Sequence, residues 1–334
     1  MSNNIQVLSI GDVVTDAFIE LLPSEAEIDH DNKKHPLLCM TYGTKIPFKD
    51  AIIVNGVGNA ANAAVAFSRL GMHSAFMSNI GDDKVGRDIL KDLHSNNVST
   101  EFVHTNMGKK SNYHYVLWYK SDRTILIKHE RYDYKWPEIR KYQTPEWIYL
   151  SSIGDSGGPI HDHLDKYLKD NPSVKLAFQP GTFQIREGLK KLKGLYAKSD
   201  IIAANKEEFQ QILETQSDNE KTLINKMHAL GPKIVLLTDG PKGAFASDGK
   251  QVVFMPPYPD PKPPLDRTGA GDSYTSTFTY AMMQGKSMQD ALAWAGVNSM
   301  SVVGQVGAQA GLLDEDEIKI WLKKAPKKYS AKVL

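Results

Sequence analysis

"LDRTGAGDSYTSTF", residues 265–278, sets Gly269, Ala270 and Gly271 directly before an acid, Asp272, and then runs into a hydroxyl-rich stretch that begins a helix. A turn of glycine and alanine lets backbone N–H groups converge on one point with no side chain in the way. The helix that follows adds its unpaired first-turn N–H groups and the positive end of its dipole. Together these make a pocket for an anion, and a phosphate in transfer suits it best. Asp272 beside the pocket is placed to accept the proton of an attacking hydroxyl. Read alone, the same stretch is only a helix start stabilised by its acid, so its meaning depends on the rest of the chain.

The rest alternates short apolar runs with amphipathic stretches, the pattern of βαβ units around a largely parallel sheet. Strands are expected at 5–10, 74–80, 147–152, 174–178, 199–204 and 233–238, and helices at 59–70, 83–95, 158–169, 205–214 and 219–230. Gly71 and Gly231 stand where helix C-caps belong. Ser287 and Asp290 have capping-box spacing for a helix running to about Val303. Two segments break the alternation. Residues 17–55 are irregular with one short strand, "AIIVN", and residues 98–131 carry two β-rich runs around Ser121-Asp122 that read as a hairpin. Both are expected to rise from the main sheet as a small flap. The basic tail "KKAPKKYSAKVL" (323–334) reads as a solvated, frayed terminus.

A chain of 334 residues with 41% hydrophobic and 24% charged side chains has the composition of a globular protein with a substantial core. A formal net charge of +1 gives no electrostatic draw toward nucleic acid or an anionic membrane. The single cysteine, Cys39, excludes an intrachain disulfide and a cysteine-based zinc cluster, and fits a reducing compartment. The first residues lack the pattern of a signal peptide, and no apolar run is long enough to cross a bilayer. The expectation is a cytoplasmic enzyme.

Other stretches have jobs that match the phosphate pocket. In "TDGPKGAF" (238–245), Thr238, Gly240 and Gly243 let backbone approach the phosphates of a nucleotide, with Lys242 nearby; the same residues also read as a turn into a hairpin. In "NKEEF" (205–209), Asn205 and Glu208 face one side of a helix's first turns, which suits a magnesium shell held through water, and equally an N-cap with exposed acids. A Walker A motif is absent. "SIGDVVTD" (9–16) places Asp12 and Asp16 just beyond the first strand, where open α/β sheets bind ligands, and paired carboxylates suit the hydroxyls of a polyol. In "NGVGNAANAAVAFSRLG" (55–71), residues 56–61 fit the dinucleotide fingerprint, with Asp82 and Asp83 near the distance of a ribose-binding acid. That supports a rival reading, an NAD-linked dehydrogenase, although the fingerprint does not follow the leading strand and "DRTGAGD" would be left without a role. Asn62, polar on a face of small residues, points to a ligand.

Taken together these stretches resemble the ribokinase-like (PfkB) family of carbohydrate and nucleoside kinases. "DRTGAGDSYTSTF" is similar to the family's C-terminal signature, and "VGNAANAAVAFSRLG" to its N-terminal one. The order Asp16, Gly58/Asn62, Asn205/Glu208, Thr238/Gly240, Asp272 follows the family from end to end. The resemblance implies one ribokinase-like domain over residues 1–334, a three-layer α/β/α fold with a central mostly parallel sheet and a small β-sheet lid from about 17–55 and 98–131. It implies that Asp272 is the base and that Gly269, Ala270 and Gly271 form the anion hole. Asp12, Asp16, Gly58 and Asn62 would hold the acceptor. Asn205 and Glu208 would serve the magnesium–phosphate network, with Thr238, Gly240 and Gly243 around ATP. Asp266, Thr268 and the loop "GQVGAQ" (304–309) occupy the positions of a monovalent-cation site, implying potassium, and the lid implies a homodimer. Three departures stand out: Val57 in place of a glycine, Arg267 where threonine is common, and "FQPGTF" (178–183) in place of an Asp-Pro-Asn stretch.

The expected activity is transfer of the γ-phosphate of ATP, with Mg²⁺, to a hydroxymethyl group of a small sugar. A nucleoside or a sugar phosphate is the alternative acceptor, and a non-catalytic sugar-binding protein the alternative class. The lid aromatics Tyr42, Phe48, Tyr113, Tyr115 and Trp118 either stack on a base or form the flap's own core. His114, Lys128 and His129 either meet a phosphorylated sugar or face solvent.

Overall fold

The computed structural model describes residues 4–30, 36–120 and 122–334. In chain order the strands are β1 (Val7–Ile10), β2 (Val14–Leu21), β3 (Ala26–Asp29), β4 (Leu37–Met40), β5 (Phe48–Val57), β6 (Ser74–Gly81), β7 (Ser99–Asn106), β8 (Tyr113–Tyr119), β9 (Asp122–Lys128), β10 (Trp147–Leu150), β11 (Lys175–Phe178), β12 (Ile201–Asn205), β13 (Ile234–Thr238), β14 (Ala244–Ser247), β15 (Val252–Met255) and β16 (Lys332–Val333). The α-helices are α1 (Asn59–Arg69), α2 (Lys84–Ser95), α3 (Gly158–Asp170), α4 (Thr182–Glu187), α5 (Leu189–Lys198), α6 (Lys206–Ile212), α7 (Glu220–His228), α8 (Ala270–Met283), α9 (Met288–Val303) and α10 (Glu315–Lys323). Gly71 and Gly231 end their helices with φ of 88° and 117°, as the C-cap reading requires.

Among the described residues the main sheet has ten strands in the order β16-β15-β14-β13-β12-β11-β10-β1-β6-β7. From β13 to β7 neighbouring strands run parallel, while β14, β15 and β16 are antiparallel. The central strands read as unbroken apolar runs because both faces are covered. Leu8, Ile10, Ile148, Leu150, Val235 and Leu237 join the core under α3, α5, α6 and α7. Their chain neighbours Val7, Trp147, Tyr149 and Leu236 point the other way, into the core under α1, α8, α9 and α10. Alternation along single strands thus builds the α/β/α layers. The alanines of α1 serve the same packing: Ala60, Ala61, Ala63 and Ala64 have no exposure, which lets this helix approach the sheet and α8 closely.

A separate four-stranded sheet, β5-β2-β8-β9, is the lid, and β3 pairs with β4 beside it. The expected hairpin is β8 and β9, antiparallel, although Ser121 at its turn lies outside the described residues. The lid boundaries differ from the expected ones. Residues 99–106 form β7 and pair in parallel with β6 at the edge of the main sheet, with Phe102 opposite Met77 and buried. The lid instead begins at Val14 and takes all of 48–57.

This placement of β5 overturns the dinucleotide reading. The strand before the glycines is a lid strand antiparallel to β2, so no βαβ unit leads into α1. Gly58 has φ of 118°, and a Cβ there would stand 2.9 Å from the carbonyl oxygen of Asp12: the glycine serves close approach to the β1 loop. Asp83 caps α2, accepting from the Gly86 N–H at 2.9 Å.

The tail is also docked rather than frayed. The Tyr329 hydroxyl donates to the Ala293 carbonyl at 2.6 Å, its ring meets Tyr258 edge-on, and Lys332–Val333 adds a strand to β15. The aromatic among the lysines was the signal; net positive charge alone suggested solvent. No helix of the described residues is long and apolar enough to cross a membrane.

Candidate active site

Gly269 opens α8 in the left-handed conformation, φ 76°, with no side-chain cap; the Ala270 N–H meets the Arg267 carbonyl at 3.4 Å, and the Gly271 and Asp272 N–H groups of this 14-residue helix are left for an external acceptor. Nothing stands within 4 Å of where a Cβ on Gly271 would lie, so the space in front of that turn is open. Asp272, one residue further, is buried and accepts three side-chain amides. Asn59 Nδ2 is 2.8 Å from Oδ1, Gln179 Nε2 is 3.1 Å from Oδ1, and Asn62 Nδ2 is 2.8 Å from Oδ2. An ionised carboxylate is an acceptor only, and three amide donors suit that state. Gln179 is oriented in turn by the Tyr149 hydroxyl, which donates to its Oε1. Full burial, and then the charge of Asp272, push the Tyr149 phenol far above its ordinary range, so it stays a donor.

Three cavities meet at this turn. One of about 500 Å³ is lined by Thr238, Gly240, Gly243, Arg267, Ala270 and Gly271, among others. A second, about 220 Å³, is polar and holds Asn205, Glu208, Thr238, Gly269, Gly271 and Asp272. The third, about 390 Å³, lies under the lid against Asp12, Asp16, Gly58, Asn62, Asp272 and the side chains of His114 and His129. Thr238 and Gly271 border the first two, and Asn59, Gly269 and Asp272 the last two. Asp272 therefore stands where the middle cavity opens into the one beneath the lid.

Asp12 and Asp16 differ in what they have to offer. Asp12 Oδ2 accepts the Gly154 N–H at 2.8 Å and faces His129 Nδ1 at 3.2 Å, while Oδ1 accepts the hydroxyl of Tyr134. Burial and the Asp12 charge hold the Tyr134 phenol far above its ordinary range, fixing it as that donor. These bonds join the ends of β1 and β10, where the strand order reverses, so Asp12 organises the floor of the cavity. Asp16, on β2, has His114 Nδ1 at 3.2 Å from an Oδ1 that makes no well-directed hydrogen bond although it is buried. The two imidazoles meet each other, Nε2 to Nε2, at 3.3 Å. Neither histidine faces solvent, contrary to one of their two expected readings; Lys128 does, paired with Glu130. None of Tyr42, Phe48, Tyr113, Tyr115 and Trp118 lines this cavity; the aromatic that does is Phe183, from the loop after β11.

In "NKEEF" the N-cap reading is met at Asn205. Asn205 caps α6, its Oδ1 accepting the Glu208 N–H at 2.8 Å, and Glu208 Oε2 accepts the Asn205 N–H at 2.8 Å. Glu208 is not an exposed acid: it lines the middle cavity, where burial first and the Asp272 charge further raise its pKa. Two carboxylates facing one polar cavity at the end of β12 fit a magnesium ion bound mostly by phosphate oxygens and water. Among the described residues no group of three or more His, Cys, Asp or Glu is arranged to cage a metal by itself. Gly243 has φ of 105°, and a Cβ there would collide with the Met255 carbonyl, so the 238–243 turn can hug the hairpin. Lys206, 6% exposed, ties that turn to the helices beside it through Asp218 at 2.7 Å, Glu220 at 2.8 Å and Asp239 at 3.8 Å. Lys242 points outward, 75% exposed, and lines none of the three cavities.

Asp266 and Thr268 do not offer the open carboxylate that a monovalent cation would use. Asp266 Oδ1 accepts the Thr268 N–H at 2.9 Å and its hydroxyl at 2.7 Å, and Oδ2 accepts the Gly307 N–H at 2.9 Å. A guanidinium, that of Arg123, stands 3.4 Å from Oδ1. The side chains do not fit potassium as a ligand of Asp266.

Asn59 and Gln179 were not among the residues expected to act here. Asn59 precedes Asn62 by three positions and so shares its helix face. Gln179 follows β11 at the same sheet edge that drew attention to Asp12.

Known proteins share the sequence pattern and the fold of this chain. The pattern of the pfkB family of carbohydrate kinases matches residues 54–315. An ATP-dependent 6-phosphofructokinase of Thermoanaerobacterium thermosaccharolyticum is 26% identical over 272 residues, covering 78% of this chain and 83% of that one. The ribokinase of Bacillus subtilis is 24% identical over 270 residues, covering 78% and 86%. The structure of Arabidopsis thaliana ribokinase complexed with ribose and ATP superposes with a TM-score of 0.75 at 23% identity, over 96% of this chain and 99% of that one. The family pattern spans most of the sequence, so this chain belongs to the pfkB family of carbohydrate kinases and is a phosphotransferase with an alcohol group as acceptor.

Proposed function

We propose that the protein transfers the γ-phosphate of ATP, with Mg²⁺, to a hydroxymethyl group of a small sugar. The observation that carries this reading is the row of three cavities with Asp272 and the Gly269–Gly271 turn at their junctions. ATP would occupy the 500 Å³ cavity, with its phosphates reaching the middle one. The acceptor would lie under the lid with Asp16 taking hydroxyl protons as hydrogen bonds and Asp12 holding the floor. Asn62 keeps its second amide hydrogen for the same ligand.

Asp272 then accepts the proton of the attacking hydroxyl, while the turn's N–H groups and the α8 dipole meet charge on the transferred group. Glu208 and Asn205 would hold a magnesium ion through water, and the ion when bound supplies charge neutralisation on the phosphates. A sugar is favoured over a nucleoside because the lid aromatics stay out of the acceptor cavity. The unpartnered apolar side chains on the outer lid, Phe48, Ile53 and Leu126, support a homodimer formed there.

The test is purified protein with Mg-ATP against a panel of sugars, sugar phosphates and nucleosides, followed by ADP release. A sugar giving acceptor-dependent ADP is the expected result. Turnover of nucleosides alone would replace the sugar reading, and no ADP with any acceptor would remove the catalytic one.

A further inference from the structure

Along β9, Arg123, Ile125 and Ile127 share a face. The two isoleucines line the acceptor cavity, and Arg123 reaches past them to Asp266, in the loop that leads into α8. The arginine is 25% exposed and the carboxylate 7%, so the pair lies in the seam between lid and body.

From Asp266 the contacts run on to the anion hole. Its Oδ2 fixes the Gly307 N–H at 2.9 Å. The next residue, Ala308, packs so tightly on Gly269 that a Cβ on that glycine would collide with it. Gly269 is the left-handed residue that opens α8. The lid touches the same loop a second time: Val54 of β5 stands 3.5 Å from where a Cβ on Gly307 would be. Arg123 itself lines none of the three cavities.

We propose that Arg123 is a positioning residue whose guanidinium, brought by the lid, balances the charge of Asp266 in place of a monovalent cation and so sets the Gly307–Ala308 loop against the anion hole as the lid closes. A buried carboxylate beside an anion hole needs a counter-charge, or it repels the phosphate the hole is built for. Asp266 Oδ1 accepts a backbone N–H and a hydroxyl and Oδ2 a backbone N–H, and a free cation added next to a guanidinium would be repelled. A guanidinium on a strand also does what an ion from solution does not: its arrival depends on lid position.

This rests on the kinase reading for its activity arm only, so two readouts are paired. The full-length wild type, Arg123→Ala and Arg123→Lys are compared in potassium chloride and in tetramethylammonium chloride of equal ionic strength. Hydrogen exchange of the 122–128 amides, measured without acceptor, is expected to be several times faster in Arg123→Ala and near wild type in Arg123→Lys. Turnover of Mg-ATP with the acceptor found by the panel is expected to be equal in the two salts for the wild type. Arg123→Ala is expected to lose about tenfold and to regain activity with potassium or millimolar guanidinium chloride. Wild-type turnover that depends on potassium would overturn the proposal. So would lid exchange in Arg123→Ala equal to that of the wild type. Should no acceptor be turned over, the kinase reading falls and the exchange comparison still decides whether Arg123 holds the lid.

Discussion

Asn62 Nδ2 lies 2.8 Å from Asp272 Oδ2, so α1, which lines the cavity under the lid, is bonded to the carboxylate at the start of α8 across 210 positions of sequence. With Asn59 and Gln179 on the other oxygen, the carboxylate is held from three elements at once, α1, the β11 loop and α8 itself. A carboxylate fixed by amides keeps its orientation without a neighbouring positive charge.

That arrangement makes the three amides unequal to ordinary polar substitutions. Asn59→Ala, Asn62→Ala and Gln179→Ala each remove one hydrogen bond to a charged group, worth about 1.5–3 kcal/mol. Each is expected to lower kcat by roughly ten- to a hundredfold and the melting temperature by a few degrees, read by steady-state kinetics beside thermal unfolding. Tyr149→Phe, which leaves Gln179 in place but unoriented, is expected to fall between these variants and the wild type.

Asp12 and Asp16 are expected to separate cleanly. Asp16 carries a buried oxygen without a well-directed partner, so Asp16→Asn should raise the acceptor KM by more than tenfold at unchanged stability, a loss of about 1.5–3 kcal/mol of binding. Asp12 already accepts from Gly154 and Tyr134, and Asp12→Asn sets an amide against those donors. It should lower stability by about 1–3 kcal/mol, seen in urea unfolding, with loss of activity following from the disturbed floor.

Glu208 gives a pH signature. Its carboxyl is raised from 4.5 by burial first, opposed by the Asn205 N–H and reinforced by the charge of Asp272. A raised folded value means that its contribution to stability is full below the ordinary carboxyl range and is lost as pH rises through the folded value. The unliganded protein should therefore lose stability over that window, and Glu208→Gln should flatten the decline, measured as melting temperature against pH. With Mg-ATP the same variant should turn over about ten- to a hundredfold more slowly, because a metal's supporting carboxylate is gone.

Much of the fold was legible because it rests on periodicity. Largely apolar runs such as Val7–Ile10 and Ile234–Thr238 mark strands covered on both faces, and the helices between them carry their caps in the sequence. The start of α8 was legible too, since Gly269 takes the left-handed conformation that only a glycine adopts freely. What escaped was decided by long-range pairing. "STEFVHTN" has no clear alternation, and only its register with β6 places it at the edge of the main sheet rather than in the lid. Gln179, Tyr134 and Arg123 meet their carboxylates 93, 122 and 143 positions away, and no local pattern announces such partners.

The docked tail yields a stability prediction. Tyr329 packs on Tyr258, and its hydroxyl would meet a Cβ placed on Gly296. Tyr329→Phe is expected to cost about 1 kcal/mol through the lost hydrogen bond, and Tyr329→Ala about 3 kcal/mol through the cavity, both by denaturant unfolding. Gly296→Ala should be destabilising as well, because the tyrosine must move.

The central claim is that Asp272 is the base at the meeting point of nucleotide and acceptor. Asp272→Asn keeps the side-chain volume while removing the proton acceptor, and it sets an amide nitrogen against one of the donors Asn59, Gln179 and Asn62, so Mg-ATP binding is measured beside turnover. Calorimetry is expected to find Mg-ATP binding preserved, with phosphoryl transfer to the sugar found by the panel lowered by about 10²–10⁴-fold. A variant that binds Mg-ATP and turns over at close to the wild-type rate would contradict the account.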